Sequence, residues 1–131
     1  MTTLSASDRI VVDSSGWVEY LANGPKAGGF AQYLESQATL ILPSIVVYEV
    51  YKKIYREREK GLADEFLSQA FGFDDRLIPL TIDIAILASK TSLQANLAMA
   101  DAIIYATAQH EDARLITSDA HFATLPRVTL I

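Results

Sequence analysis

Four acidic residues stand where apolar stretches of the chain begin or end: Asp13, Glu49, Asp101 and Asp119. Asp13 closes the run Ile10-Val11-Val12, and Asp119 follows Leu115-Ile116-Thr117-Ser118. Asp101 has Leu97, Ala98, Ile104, Tyr105 and Ala108 at helical spacing, which sets its carboxylate on an apolar face. An unpaired carboxylate is costly to bury, and such groups are normally paired or bound to a metal. Carboxylates that converge repel one another, which raises their pKa values and destabilises the fold unless a cation is present. Hard oxygen ligands of this kind suit Mg²⁺ or Mn²⁺. An ion held there can clamp a scissile phosphate, activate a water and stabilise both the attacking and the leaving oxygen.

Each residue also has a plainer reading. Asp13 and Asp119, taken singly, read as helix N-caps at strand-to-helix junctions. Asp101 could cap a helix that begins there, with residues 97–100 still loop. Glu49 shares its helical face with Lys52, Lys53, Arg56 and Lys60, which by spacing alone describes a solvated surface with a Glu49–Lys53 pair. The functional reading makes Glu49 a ligand at a pocket rim and the cations beyond it a ladder for phosphates. His110 and His121 read as surface or packing residues.

These side chains need elements to position them, and strand-like and helix-like stretches alternate along the chain. Strands are expected at Arg9–Val12, Thr39–Leu42, Leu77–Leu80, Arg114–Thr117 and Val128–Ile131. Helices are expected at Ser14–Ala22, Gly29–Gln37, Ser44–Lys60, Leu62–Phe71, Ile82–Ser92 and Ala98–His110, with Pro43 opening the third and Gly61 stopping it. Short apolar strands without clear alternation fit a parallel sheet covered on both faces. Ligands in such sheets bind beyond the carboxyl ends of the strands, where strand order reverses. Asp13 and Asp119 fall at that edge.

Composition narrows the class. The 131 residues are half apolar and about a fifth charged, without repeats or a linker, which fits one globular domain over residues 1–131. No cysteine is present, so disulfides and thiolate metal sites are excluded, and two histidines argue against a histidine-based zinc site. The polar start MTTLSASDR lacks the apolar stretch of a signal peptide, and no run is long enough to span a membrane. A soluble cytoplasmic protein is expected. The net charge of −5 argues against a nucleic-acid partner unless the acids are concentrated in a metal pocket, where a bound ion neutralises them.

Taken in order, the four acidic blocks resemble those of a PIN domain, in particular the VapC-type toxin ribonucleases of toxin–antitoxin pairs. Val11-Val12-Asp13-Ser14-Ser15 is similar to the opening strand of that family. Leu42-Pro43-Ser44-Ile45-Val46-Val47-Tyr48-Glu49-Val50 is similar to its second block, Ala100-Asp101-Ala102-Ile103-Ile104-Tyr105-Ala106 to its third, and Leu115-Ile116-Thr117-Ser118-Asp119-Ala120-His121-Phe122 to its fourth. The resemblance spans nearly the whole chain. It implies a three-layer α/β/α sandwich around a mainly parallel sheet of four to five strands. It also implies a Mg²⁺- or Mn²⁺-dependent endoribonuclease that cleaves RNA phosphodiesters with a metal-activated water, acts as a homodimer and is silenced by a cognate antitoxin protein.

By motif match, Asp13 and Asp101 would be the principal metal ligands. Glu49 would join them directly or through water, and Asp119 would complete the pocket or hold a second ion. Ser14 and Thr117 could hydrogen-bond a water or a phosphate, and serve equally well as junction hydroxyls. Lys52, Lys53 and Arg56 become candidates for the RNA backbone, and Tyr48, Tyr51 and Tyr55, outside the core stripe of their helix, for contact with an antitoxin or a second copy. The segment Ser92–Leu97 departs from the family pattern in lacking glycine and histidine. Two other readings share the acidic pattern: a catalytically inactive PIN-fold binding module, and a receiver-like phospho-accepting domain.

Overall fold

In the computed structural model, which describes residues 3–131, five parallel strands form one sheet. They are β1 (Arg9–Val12), β2 (Thr39–Pro43), β3 (Leu77–Ile78), β4 (Arg114–Thr117) and β5 (Val128–Leu130), in the order β3-β2-β1-β4-β5. The order runs outward from β1 in both directions, so the reversal lies between β1 and β4, whose register pairs Val12 with Ile116. Asp13 N–H extends this ladder by donating to Ile116 O at 2.9 Å. A receiver-like arrangement would place the strands 2-1-3-4-5. The observed order rules that reading out.

Six helices connect the strands: α1 (Ser14–Leu21), α2 (Ala27–Leu34), α3 (Ser44–Glu57), α4 (Lys60–Phe71), α5 (Ile82–Ala95) and α6 (Met99–His110). Parallel strands take right-handed crossovers. The moves from β1 to β2 to β3 therefore put α1 to α4 on one face, and the return to β4 puts α5 and α6 on the other. The result is the expected three-layer α/β/α sandwich. Both faces of the sheet are buried: Val11 and Leu42 pack inside together with Phe30, Val46, Phe66, Ile104, Leu115 and Phe122.

Several boundaries shift by a few residues from the periodicity-based expectation, and two of the shifts have a clear backbone reason. The strand expected at Leu77–Leu80 stops at Ile78, because Pro79 has no N–H to continue the ladder. The long helix ends at Glu57: Arg58, with φ −122° and ψ −102°, leaves helical space, and Gly61 lies inside α4 instead of stopping α3. The break lets Ala63, Phe66 and Ala70 reach the core that Val46, Val50 and Ile54 already fill, which a single straight helix could not do. No helix among the described residues is long and apolar enough to cross a membrane.

Candidate active site

The carboxyl edge of the sheet at the β1/β4 reversal holds the acidic residues, each delivered by a different junction. Asp13 directly follows β1, is only 4% exposed, and caps α1 by accepting from Ser14 N–H at 2.8 Å. Its other oxygen, Oδ2, accepts from Thr117 Oγ1 at 2.8 Å and from Ser15 Oγ at 3.3 Å. Burial pushes the Asp13 carboxyl above its ordinary value, these three donors pull it back down, and the nearby Asp119 adds a further upward push. Capping and participation in the acidic site are therefore compatible for Asp13: one oxygen meets the helix and the other meets β4.

Glu49 lies in the second turn of α3, which starts immediately after β2 because Pro43 both ends the strand and precedes the helix. Val46, Val50 and Ile54 bury one stripe of this helix and turn Glu49 toward α1, where Ser14 Oγ donates to its Oε1 at 2.9 Å. Asp119 follows β4 and caps the short 3-10 turn Ala120–Phe122 by accepting from His121 N–H at 2.9 Å. Its own N–H donates to Thr117 Oγ1 at 3.0 Å. The Thr117 hydroxyl thus donates to Asp13 while accepting from Asp119, and fixes the two acids relative to each other from a fully buried position.

Asp101 sits in the first turn of α6, capped at Ala98 without any side-chain bond, so it is not itself the cap. From Ala102 to Ala108 every residue of this helix is buried, which aims the helix start at the sheet edge. A helix N-terminus ordinarily favours a carboxylate. Here it is outweighed, and the carboxyl is pushed up to about 6. Burial is the largest cause, followed by the charges of Asp13, Asp119 and Glu49, with His121 opposing them. The four acids inferred from sequence are thus electrostatically one cluster, gathered from β1, α3, α6 and the end of β4.

His121 was not singled out by its sequence context. Its Nδ1 lies 2.9 Å from Asp119 Oδ1, and ligand atoms of Asp101, Asp119 and His121 all fall within 4.8 Å of one another. The only sequence signal was its place two residues after Asp119 in a turn. Ser14 and Thr117 hold acids in place in this structure, as junction hydroxyls do. Lys52, Lys53 and Arg56 lie on the next turns of α3 and line, together with Glu49, Ser14 and Ser15, a cavity of about 300 Å³ beside the cluster.

A divalent cation fits these residues. The converging donors are the carboxylates of Asp101 and Asp119 with the His121 imidazole, Asp13 stands beside them oriented by three hydrogen bonds, and Asp101 carries the electrostatic penalty that a cation would relieve.

Comparison with protein families matches the PIN domain over residues 10–128, a span that contains all four acids. The chain belongs to the PIN domain family. No curated protein sequence matches it. Solved structures share the fold of this PIN domain. A toxin–antitoxin complex from Klebsiella pneumoniae is 23% identical, with 92% of this chain and 95% of that chain covered and a TM-score of 0.73. FitAcB from Neisseria gonorrhoeae is 22% identical, with 91% and 95% covered and a TM-score of 0.72. VapC20 from Mycobacterium tuberculosis, a toxin that cleaves the sarcin-ricin loop, is 16% identical, with 91% and 96% covered and a TM-score of 0.73.

Proposed function

We propose that this PIN domain, spanning residues 1–131, is a Mg²⁺- or Mn²⁺-dependent endoribonuclease and the toxin of a toxin–antitoxin pair. The observation that carries the reading is the gathering of acidic side chains from separate elements at one edge of the sheet. Asp101 is held up to about 6 chiefly by its burial and then by three neighbouring carboxylates, an arrangement that costs stability unless a cation shares it. Asp13, Glu49, Asp101 and Asp119 would hold the ion, with His121 beside Asp119. When bound, it would supply charge neutralisation at a phosphodiester and a more acidic water.

The chain's own residues do the rest. Thr117 keeps Asp13 and Asp119 at a fixed separation, and Ser14 orients Glu49 toward the same space. Water attack in line would leave a 5′-phosphate and a 3′-hydroxyl. The toxin role and a protein antitoxin are supported by the similarity in fold to a toxin–antitoxin complex and to the toxin VapC20, and a homodimer and a cytoplasmic location are part of the same proposal.

Purified protein should cleave single-stranded RNA with Mg²⁺ or Mn²⁺, and lose this with EDTA or in Asp101→Asn. Removal of a directly acting group of this kind lowers turnover by about a hundredfold or more. Cleavage undiminished in Asp101→Asn, with contaminating nuclease excluded, would overturn the assignment.

A further inference from the structure

The charge on α3 changes sign within one turn. Glu49 belongs to the acidic cluster, while Lys52, Lys53 and Arg56 follow on the same side of the helix and line one cavity with it. At 1.5 Å rise per residue, Lys53 is about 6 Å and Arg56 about 10 Å further along the axis than Glu49. The opposite wall is formed by Ser14 and Ser15, whose hydroxyls bond Glu49 and Asp13 respectively. Lys53 also lines the adjoining depression that reaches Ser118, next to Asp119. The cavity is therefore a direct continuation of the acidic centre.

Its cations are only weakly committed to partners. Lys53 and Arg56 share Glu57 at 3.9 Å, and pairs this long and exposed are worth little. Among the described residues Lys52 has no carboxylate partner, and it rests against Tyr48, with Nζ 3.3 Å from the phenol oxygen and 5.4 Å from the ring centre. Three ammonium or guanidinium groups on a protein of net charge −5 form a local basic ledge beside the acids. The depression is small, about 300 Å³, and open to solvent, and its three cations spaced along α3 suit the regularly spaced phosphates of one extended strand.

We propose that this cavity is the subsite for the phosphodiester one to two nucleotides away from the scissile bond, so that a single RNA strand leaves the acidic centre along α3. The proposal rests on the nuclease reading above for the position of the scissile bond, and on the cavity itself for the anion. Lys52, Lys53 and Arg56 neutralise the strand's phosphates just where the acids would otherwise repel it. The contacts are to backbone, which makes this part of the site indifferent to base identity.

The test is binding of a labelled single-stranded oligoribonucleotide to the full chain, followed by fluorescence anisotropy across a salt series. Ca²⁺ replaces Mg²⁺, because it takes the same oxygen ligands. The triple variant Lys52→Ala/Lys53→Ala/Arg56→Ala should bind about tenfold or more weakly near 0.1 M salt, with the slope of log K against log salt reduced by about two to three. Lys26→Ala/Lys90→Ala/Arg114→Ala removes the same charge elsewhere and should stay within about twofold of the parent. With Mn²⁺, the control variant Lys26→Ala/Lys90→Ala/Arg114→Ala should cleave the oligonucleotide as the parent does. If the parent binds the oligonucleotide, the triple variant binds it more weakly and neither cleaves it, the nuclease reading fails and the cavity is left as an RNA-backbone site without a scissile bond. Equal affinity and equal salt slope in parent and Lys52/Lys53/Arg56 variant would overturn the subsite, as would failure of the parent to bind RNA at all.

Discussion

Replacing Asp101 by Asn removes a charge that the fold holds at a cost, so the metal-free variant should be more stable than the parent. The Asp101 carboxyl is raised from 3.8 to about 6, with burial the first cause and the three neighbouring acids next. Two units correspond to about 3 kcal/mol if the group were fully shielded. The carboxyl is half-buried, and solvent screening reduces this to about 1 kcal/mol. A carboxyl with a raised folded pKa binds its proton more tightly in the fold than in the unfolded chain. Its favourable contribution is complete below about pH 4, fades as pH rises toward about 6, and above that the charged group is a net cost.

Thermal unfolding in EDTA should therefore show Asp101→Asn and parent melting together near about pH 4, and the variant higher by about 3–5 °C at about pH 7.5. Saturating Mn²⁺ should raise the parent, by about 2.7 kcal/mol at a hundred times its dissociation constant, and leave the variant nearly unmoved. A variant that melts lower than the parent in EDTA at neutral pH, or a difference that is the same at both pH values, would refute the electrostatic account of the site.

Two further outcomes follow from contacts around the cluster. Thr117→Val keeps the shape of a fully buried side chain but removes the donor to Asp13 and the acceptor for Asp119 N–H. It should cost about 1–3 kcal/mol in urea unfolding. It should also move the acid limb of the pH–rate profile upward, since the Thr117 bond is the largest influence lowering the Asp13 carboxyl. An unmoved acid limb would count against Asp13 acting as a carboxylate in the reaction. Gly16→Ala places a Cβ 2.5 Å from Phe30 Cε1 and 2.7 Å from Val12 Cγ1, at a buried position in the first turn of α1. Overpacking of this kind should lower stability by about 1–3 kcal/mol and shift Ser14 relative to Glu49, read by calorimetry and by a parallel fall in activity. Unchanged melting would mean that α1 can move away from the sheet without penalty.

Much of the fold was legible because its signals are local. Apolar runs alone bound β1 and β4 at Arg9–Val12 and Arg114–Thr117, which also puts Asp13 and Asp119 just past strand ends. Asp101 could be singled out because its helical neighbours are apolar, and Ala102–Ala108 are indeed all buried. The break between α3 and α4 was not legible, since Arg58 and Glu59 are ordinary helix formers and only the packing of Phe66 against the core requires the chain to turn there.

The sequence alone thus determined which residue types could form an acidic centre and which strands would deliver two of them, because strand and helix periodicity is written residue by residue. Tertiary structure decided the strand order β3-β2-β1-β4-β5 and with it the meeting of β1 and β4. It also decided the pairing of Thr117 with Asp13, 104 residues apart, the bond from Ser14 to Glu49, and the approach of His121 to Asp101. Each depends on distances across the sheet edge, and desolvation and mutual repulsion arise only when separate segments share one volume. That shared volume turns four scattered acids into a site that a cation would stabilise.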